Sequence, residues 1–287
     1  MTAHDSITYA VINADDFGMS PTVNMAVAEA HDRGLLTSAS IMAGGQAFDD
    51  AVRIIGKWST LSPGLHVTLC DGRAVLPKSD IPDLIDSNGY FDKNPARAWI
   101  RYSRAGIRHQ LDAEIRAQFD RLDNACIHPL HVDSHHHLHM HPKLFSLVCW
   151  HASRRGVRWV RIPYEPLPFI IRFRNPERGV MPFLEWGVFR LLRGQNTKKA
   201  SEYGLSTLSH SYGISRTGHV DKTFLRSLVQ HCDGFLEVFT HPDVATEKGR
   251  KELETLLSSD LRSDLAAHNI RLVGYHELSE VAEKRAG

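Results

Sequence analysis

Residues 7–21 read Ile7-Thr8-Tyr9-Ala10-Val11-Ile12-Asn13-Ala14-Asp15-Asp16-Phe17-Gly18-Met19-Ser20-Pro21. The first half of this segment is an apolar run of the β type and predicts a strand over Ile7–Asn13. A helix is expected directly afterwards, because Ser20 can cap a helix N-terminus and Pro21 fits its first turn. The segment therefore predicts a strand–loop–helix unit whose loop carries two adjacent aspartates.

The same unit recurs along the chain. Further strands are predicted at Leu36–Met42, Gly64–Cys70, Leu130–Asp133, Val157–Ile162, Phe235–Thr240 and Ile270–Gly274. Helices are predicted at Ala47–Trp58, Leu111–Leu122, Pro142–Arg155 and Val220–Cys232. Such alternation builds a parallel sheet covered by helices, and seven or eight strands favour a closed or nearly closed barrel. We expect an α/β fold with one domain over residues 1–287, a somewhat irregular TIM-like (β/α) barrel of about seven strands, with an irregular basic and apolar insertion at about 163–203.

The composition argues against several classes of function. A formal net charge of +1 lacks the basic excess typical of proteins that bind nucleic acid. The first residues show no secretory signal, and no run approaches the roughly 18 apolar residues of a membrane span. The four cysteines form no Cys-x-x-Cys pair, which argues against a thiolate zinc site and favours a cytoplasmic location. They are Cys70, Cys126, Cys149 and Cys232.

Histidines are concentrated in one part of the chain. Eight of the eighteen lie between His128 and His151. Neutral imidazole is the commonest protein ligand for divalent transition metals, so the cluster predicts a metal site. A polar loop with several solvated histidines is the alternative for any one of them.

Polar residues at three strand ends could complete such a site. Asp15 and Asp16 point in different directions, so one can bind a metal while the other faces the substrate; a helix cap with a neighbouring acid is the alternative. His66 interrupts an apolar strand and is either a core histidine or a ligand, because a hydrolytic metal needs three protein ligands and an open position. His241 follows a buried strand and could protonate a leaving amine.

These motifs resemble those of the YdjC-type carbohydrate deacetylases. The resemblance runs from Asn13 to about Glu277 and rests on three segments in the family's order: Asn13–Ser20, Gly64–His66 and His131–His137. It implies a β/α barrel that removes N-acetyl groups from sugars with a divalent cation. The cation would be zinc or magnesium, with cobalt, nickel or manganese also suited to two histidines and one carboxylate.

The resemblance also implies roles for individual residues. Asp16, His66 and His135 match the family's metal ligands, and Asp15 matches its general base. His241 matches the histidine of the family's final His-Pro motif, and we take this histidine as the general acid. Without the resemblance, any of four histidines of the cluster could be the metal ligand: His131, His135, His136 or His137.

Three residues are candidates for contact with the substrate. Arg161 ends a strand at the same rim, where it could contact the substrate, orient Asp15 or form a surface ion pair. His131 and Glu165 are two further candidates for substrate binding.

A less specific resemblance concerns the branch within the family. The segments Cys70–Pro77 and Val160–Pro166 look closest to the HpnK-type branch associated with hopanoid biosynthesis, which implies an N-acetylglucosaminyl group on a hopanoid glycolipid such as N-acetylglucosaminyl bacteriohopanetetrol. Residues 151–200 carry eleven Lys or Arg against three Glu, together with the large apolar residues named below. Such a combination suits peripheral contact with the inner face of an anionic membrane. The alternatives are packing on its own domain or a homodimer contact. The apolar residues are Phe169, Ile170, Ile171, Phe173, Phe183, Leu184, Trp186, Val188, Phe189, Leu191 and Leu192.

Three other functions remain open on the sequence. The first is a deacetylase of chitooligosaccharides such as diacetylchitobiose. The second is a metal-dependent phosphoesterase, for which His137 and His139 would form a ligand pair, although such enzymes often use two metals and more carboxylates. The third is a sugar-binding module without turnover.

Overall fold

The computed structural model describes residues 7–228 and 234–286, and its strands within them pair in parallel. The strands are β1 (Thr8–Phe17), β2 (Ser38–Ile41), β3 (Ser62–Val67), β4 (His131–Ser134), β5 (Trp159–Val160), β6 (His210–Tyr212), β7 (Phe235–Thr240) and β8 (Ile270–Leu272). The helices are α1 (Pro21–Arg33), α2 (Phe48–Ile55), α3 (Pro95–Tyr102), α4 (Arg108–Asn124), α5 (Pro142–Ser153), α6 (Leu167–Phe173), α7 (Met181–Glu202), α8 (Lys222–Leu228), α9 (Glu247–Leu256), α10 (Ser259–Ala267) and α11 (Tyr275–Ala286). Within this part of the chain, no helix combines the length and apolarity needed to cross a membrane.

The sheet curls almost into a closed barrel. Its strand order is β5-β4-β3-β2-β1-β7-β6, and β8 pairs with the first residues of β1, before the pairing with β2 begins at Asn13. Single bridges join the two ends of this path, from Trp159 to Ser206 and from Tyr164 to Ser211. The prediction of a somewhat irregular (β/α) barrel of about seven strands is confirmed. Parallel strands place their carboxyl ends, and the loops that follow them, at one rim.

The first strand–loop–helix unit forms, although β1 continues to Phe17 and so contains both aspartates instead of ending at Asn13. The Ser20 side chain accepts a hydrogen bond from the backbone N–H of Val23 at 3.2 Å, and Pro21 opens α1. The helix ends before Gly34, where a Cβ would lie 2.6 Å from two backbone oxygens. Glycine is therefore required there by the close approach of the C-terminal end of α9.

The predicted elements recur with shifted ends. β7 has the predicted bounds, Phe235–Thr240, while the strand predicted at Val157–Ile162 is only two residues long. The helix predicted at Val220–Cys232 is seen as α8, and residues 229–232 of that prediction lie outside the described residues. β6 was not predicted, because three residues are too few for a periodic pattern to show.

The segment at about 163–203 is mostly helical rather than irregular. It contains α6, a 3-10 turn at Pro176–Arg178 and the 22-residue α7. Helix α7 was not predicted, because its apolar residues lie on more than one face and give no helical periodicity. Two glycines within it, Gly187 and Gly194, also lower its helix propensity. Its buried side chains, among them Phe189 and Ala200, pack on the barrel.

Candidate metal centre and active site

The aspartate pair lies at the carboxyl end of β1, where the strand becomes irregular. The pairing register with β2 shifts between Ala14 and Phe17, and Asp16 has a φ of 65°. A bulge of this kind re-aims side chains beside active sites. Asp15 is directed into the barrel and is buried, whereas the Asp16 side chain is 13% exposed at the rim. The bulge therefore separates the two carboxylates.

Three side chains converge at this rim. Asp16 Oδ1 lies 3.2 Å from His66 Nε2 at the end of β3 and 2.8 Å from His135 Nδ1 directly after β4. One ligand atom from each residue lies within 4.8 Å of the others. The structure thus brings together the three residues that the resemblance gives as metal ligands.

His66 is oriented from behind by a buried carboxylate. Its Nδ1 lies 2.7 Å from Oδ1 of Asp133, so Nδ1 carries the proton and Nε2 turns towards Asp16. A carboxylate partner of this type fixes the tautomer of a metal-binding histidine and raises its basicity. Burial opposes the charge on His66, but Asp133 and Asp16 outweigh it and raise the pKa of the ring to about 10. Below this pKa Nε2 also carries a proton, and a bound cation would displace it from Nε2.

The histidine-rich loop divides into separate roles. Its residues His136 and His137 both adopt left-handed backbone, with φ of 54° and 53°. His139 is buried, with Nδ1 2.6 Å from the Ser134 hydroxyl and Nε2 2.8 Å from the Arg161 carbonyl oxygen. His141 caps α5 by accepting from the backbone N–H of Lys143. Only His135 joins the Asp16–His66 cluster among the described residues.

Arg161 lies at the centre of a buried charge network. Its guanidinium donates two hydrogen bonds of 2.8 Å to the carboxylate of Asp15 and two, of 2.8 and 2.9 Å, to that of Glu237. It also lies 2.7 Å from Oδ2 of Asp133. Burial opposes the charge, yet these carboxylates together raise the pKa of Arg161 well above its usual range. Arg161 therefore orients Asp15 and is too deeply buried to reach a substrate.

The charge balance of this region fits a divalent cation. Three carboxylates, those of Asp15, Asp133 and Glu237, surround the guanidinium of Arg161, and Asp16 joins them through His66. The formal charge of these groups is −3 with a neutral His66 and −2 with a protonated one. Uncompensated buried charge costs several kcal/mol per ion. A cation beside Asp16 would offset most of it, and the mixed set of imidazole and carboxylate donors is one that zinc and its neighbours accept.

His241 faces Asp15 from the end of β7. Its Nε2 lies 3.9 Å from Oδ2 of Asp15, and the side chain is 26% exposed. Its backbone N–H donates to the buried carboxylate of Glu252 in α9, which also accepts from the N–H of Val220. Burial raises the pKa of Glu252. The imidazole thus lies between the buried Asp15 carboxylate and solvent.

Two predicted substrate contacts lie in the core instead. His131 is fully buried, and its ring stacks on Tyr275 at 4.2 Å and fills the space that Gly64 leaves by having no Cβ. Glu165 is also fully buried and accepts from the backbone N–H groups of Gly213 and Ser215. Because neither side chain is accessible, neither contacts a substrate in this conformation.

Three residues of the site escaped sequence reasoning. Glu237 interrupts the apolar strand β7 just as His66 interrupts β3, and that interruption was the available signal. The Ser40 hydroxyl connects two residues of the network. Its Oγ lies 3.2 Å from His66 Nδ1 and donates a hydrogen bond of 3.4 Å to Oδ1 of Asp15. Glu252 carries no signal, because an acid on an amphipathic helix normally faces solvent.

Together these side chains form two functional layers. Asp16, His66 and His135 present convergent ligand atoms at the rim, and a carboxylate and an imidazole, Asp15 and His241, lie beside them. Such an arrangement can activate water, polarise a carbonyl group and deliver a proton to a leaving group.

Comparison with known proteins identifies related sequences over nearly the whole chain. The family model described as YdjC-like protein matches residues 9–267. A carbohydrate deacetylase of Brevibacillus brevis is 29% identical over 279 residues, covering 93% of this chain and 98% of that protein. A chitooligosaccharide deacetylase of Salmonella typhimurium is 34% identical over 151 residues, covering 51% of this chain and 56% of that protein.

A solved structure shares the architecture. It is a protein of Enterococcus faecalis V583 described as a candidate cellobiose-phosphate cleavage protein, with a TM-score of 0.72 and 22% identity over 95% of this chain and 99% of that one. At this identity the likeness concerns the fold alone.

Proposed function

Because the chain belongs to the YdjC-like protein family, we propose that it is a metal-dependent hydrolase that removes an N-acetyl group from an amino sugar. The observation that carries this proposal is the convergence of Asp16, His66 and His135 beside the Asp15–His241 pair. Carbohydrate and chitooligosaccharide deacetylases among the relatives support the same reaction. Asp16, His66 and His135 would hold one divalent cation.

The protein's own residues supply the proton transfers. A cation held by the three ligands would polarise the acetamide carbonyl and lower the pKa of a water molecule. Asp15 takes the proton from the attacking water, and Arg161 holds the Asp15 carboxylate in place beneath the rim, next to His241. His241 then donates a proton to the sugar nitrogen, which leaves as an amine while acetate is released.

Acetate release tests the reaction. We expect metal-loaded protein to release acetate from N-acetylglucosamine conjugates, with a mass loss of one acetyl group from the sugar. Mass spectrometry of glycolipids and chitooligosaccharides before and after treatment identifies reaction and substrate together. Phosphate release from aryl phosphates would instead favour a phosphoesterase, and sugar binding without turnover would favour a binding module.

The finer proposal concerns the substrate. We propose an N-acetylglucosaminyl hopanoid, as in the HpnK-type branch, with chitooligosaccharides as the alternative. An apolar stripe on α7 supports a lipid substrate: Leu184, Val188 and Leu191 are 57%, 43% and 84% exposed. Arg174 and Arg190 flank it, each stacked on an aromatic ring of α7. Apolar side chains bordered by arginines suit an anionic membrane surface, and the protein would act at the cytoplasmic face; a homodimer contact is the alternative.

The stripe differs from the residues that the sequence alone would suggest for a lipid contact. Phe189 is only 7% exposed, and Trp186 donates its indole N–H to the carbonyl oxygen of Glu165. These two side chains pack inward, so they are unsuited to testing membrane contact.

Replacing Leu184, Val188 and Leu191 with serine is expected to weaken binding to liposomes of anionic lipid about tenfold or more, because each loses apolar area that lipid would bury. Turnover of a hopanoid-linked N-acetylglucosamine should fall with it, while turnover of diacetylchitobiose stays unchanged. Co-sedimentation at low and high salt measures the binding. Met25→Ser with Ile100→Ser is the control, since these two apolar side chains, 61% and 67% exposed, lie on α1 and α3. Equal losses in the two variants would reject a membrane role for α7.

A further inference from the structure

A second carboxylate–imidazole pair lies at the rim, next to the proposed metal ligands. Asp71, four residues beyond β3, has Oδ2 3.6 Å from His136 Nε2. The rings of His135 and His136 are 4.3 Å apart, so the pair adjoins the cluster directly. Both side chains are well exposed, 45% for Asp71 and 38% for His136. The proposed reaction leaves this pair without a role.

The backbone is strained to present these side chains. Asp71 has a φ of 47°, and His136 and His137 have φ of 54° and 53°. Left-handed backbone is uncommon at residues other than glycine and is found often at functional sites. Burial of the side chain does not stabilise this conformation at Asp71 or His136, because both side chains face solvent. The backbone N–H of Asp71 donates to the carbonyl oxygen of Asp92 at 3.1 Å, which anchors its loop.

Two kinds of ligand suit such a pair. A second cation could use Asp71, His135 and His136, whose ligand atoms lie within 4.8 Å of one another. However, His135 already directs Nδ1 at Asp16, so a second cation would have to share that ring. A sugar hydroxyl can donate one hydrogen bond and accept another, and a carboxylate that accepts beside an imidazole N–H that donates provides both partners.

We propose that Asp71 and His136 form the subsite that binds the free hydroxyl group next to the acetamido group of the reacting sugar. This subsite rests on the proposed deacetylase function. The acetamide carbonyl has to reach the Asp16–His66–His135 cluster, and the neighbouring hydroxyl at C3 lies within the same sugar ring. Its recognition would place the ring for attack and favour amino sugars with that hydroxyl unsubstituted.

Glycine variants remove the side chains with little backbone strain, because glycine adopts positive φ readily. We expect Asp71→Gly and His136→Gly each to raise KM for an N-acetylglucosamine substrate about tenfold, the scale of one lost hydrogen bond to a charged or well-placed group, with little change in kcat. Metal content should equal that of the wild type. Asp71→Asn, which also tolerates left-handed backbone, should show a smaller effect in the same direction.

A substrate lacking the C3 hydroxyl makes the test specific. The wild type should lose about tenfold in kcat/KM on the 3-deoxy substrate, whereas the glycine variants should lose almost nothing further, because the contact is already absent. Asp112→Asn is the control: Asp112 pairs with His151 at 2.9 Å, is 40% exposed and lies on α4, outside the site. It should behave as the wild type with both substrates.

The outcomes that overturn the subsite are distinct from failure of the function. If kcat/KM falls equally on the 3-deoxy substrate in the wild type and in the glycine variants, the contact between the C3 hydroxyl and the Asp71–His136 pair is rejected, although the enzyme is active. A fall in metal content in Asp71→Gly would make Asp71 a metal ligand, and this result would also reject the proposed hydroxyl subsite. Absence of acetate release by the wild type from both substrates would reject the deacetylase function itself, and the subsite with it.

Discussion

The His66→Ala, His135→Ala and Asp16→Ala variants are each expected to lose most of their bound metal and nearly all activity. Removing one of three ligands opens the site to water and leaves two donors, too few to hold a cation firmly. The effect should exceed the 10–100-fold loss in metal affinity that is typical when only a residue behind a ligand is changed. Elemental analysis of the purified proteins, together with acetate release, measures both quantities.

A histidine from the same part of the sequence provides the control. His128 is exposed and lies before β4, outside the cluster. His128→Ala should keep its metal and activity. Full metal occupancy in all three ligand variants would reject the proposed ligand set.

Asp15→Asn is expected to keep its metal while kcat falls by roughly a hundredfold or more, the scale of losing a positioned general base. Folding should survive, because the change is nearly isosteric and Arg161 retains two carboxylate partners, Asp133 and Glu237. Metal analysis, thermal unfolding and kcat at saturating substrate separate these effects. Loss of metal at wild-type stability would make Asp15 the ligand and would exchange the roles of the two aspartates.

The sequence predicts the fold well where patterns are long. The apolar runs of β1 and β7 and the caps of α1 are local signals that tertiary packing preserves. β6 and α7 lack such signals, because β6 is too short and α7 buries apolar side chains on several sides. The join between β5 and β6 depends on contacts between distant residues, which no local pattern contains.

The sequence indicates which segments contribute residues to the candidate site, but not which side chains of those segments meet there. Residues alone could not choose His135 among the clustered histidines, since the choice depends on the left-handed backbone that follows it. Alternation along β4 places His131 and Asp133 on the same face, and the absence of a side chain at Gly64 draws the His131 ring into the core. Arg161 could be read as a substrate contact or as a partner of Asp15, and only the packed barrel distinguishes the two.

The network around Arg161 makes the order of synthesis matter. Asp15 is made early, but Arg161 follows 146 residues later, and Glu237 another 76 residues beyond it. A nascent chain that ended before β7 would hold Asp15, Asp133 and Arg161 without Glu237, and it would lack the strand that pairs with β1 along six residues. The complete Arg161 network can therefore form only after β7 has been synthesised and has paired with β1, although Asp16, His66 and His135 all precede it in the chain.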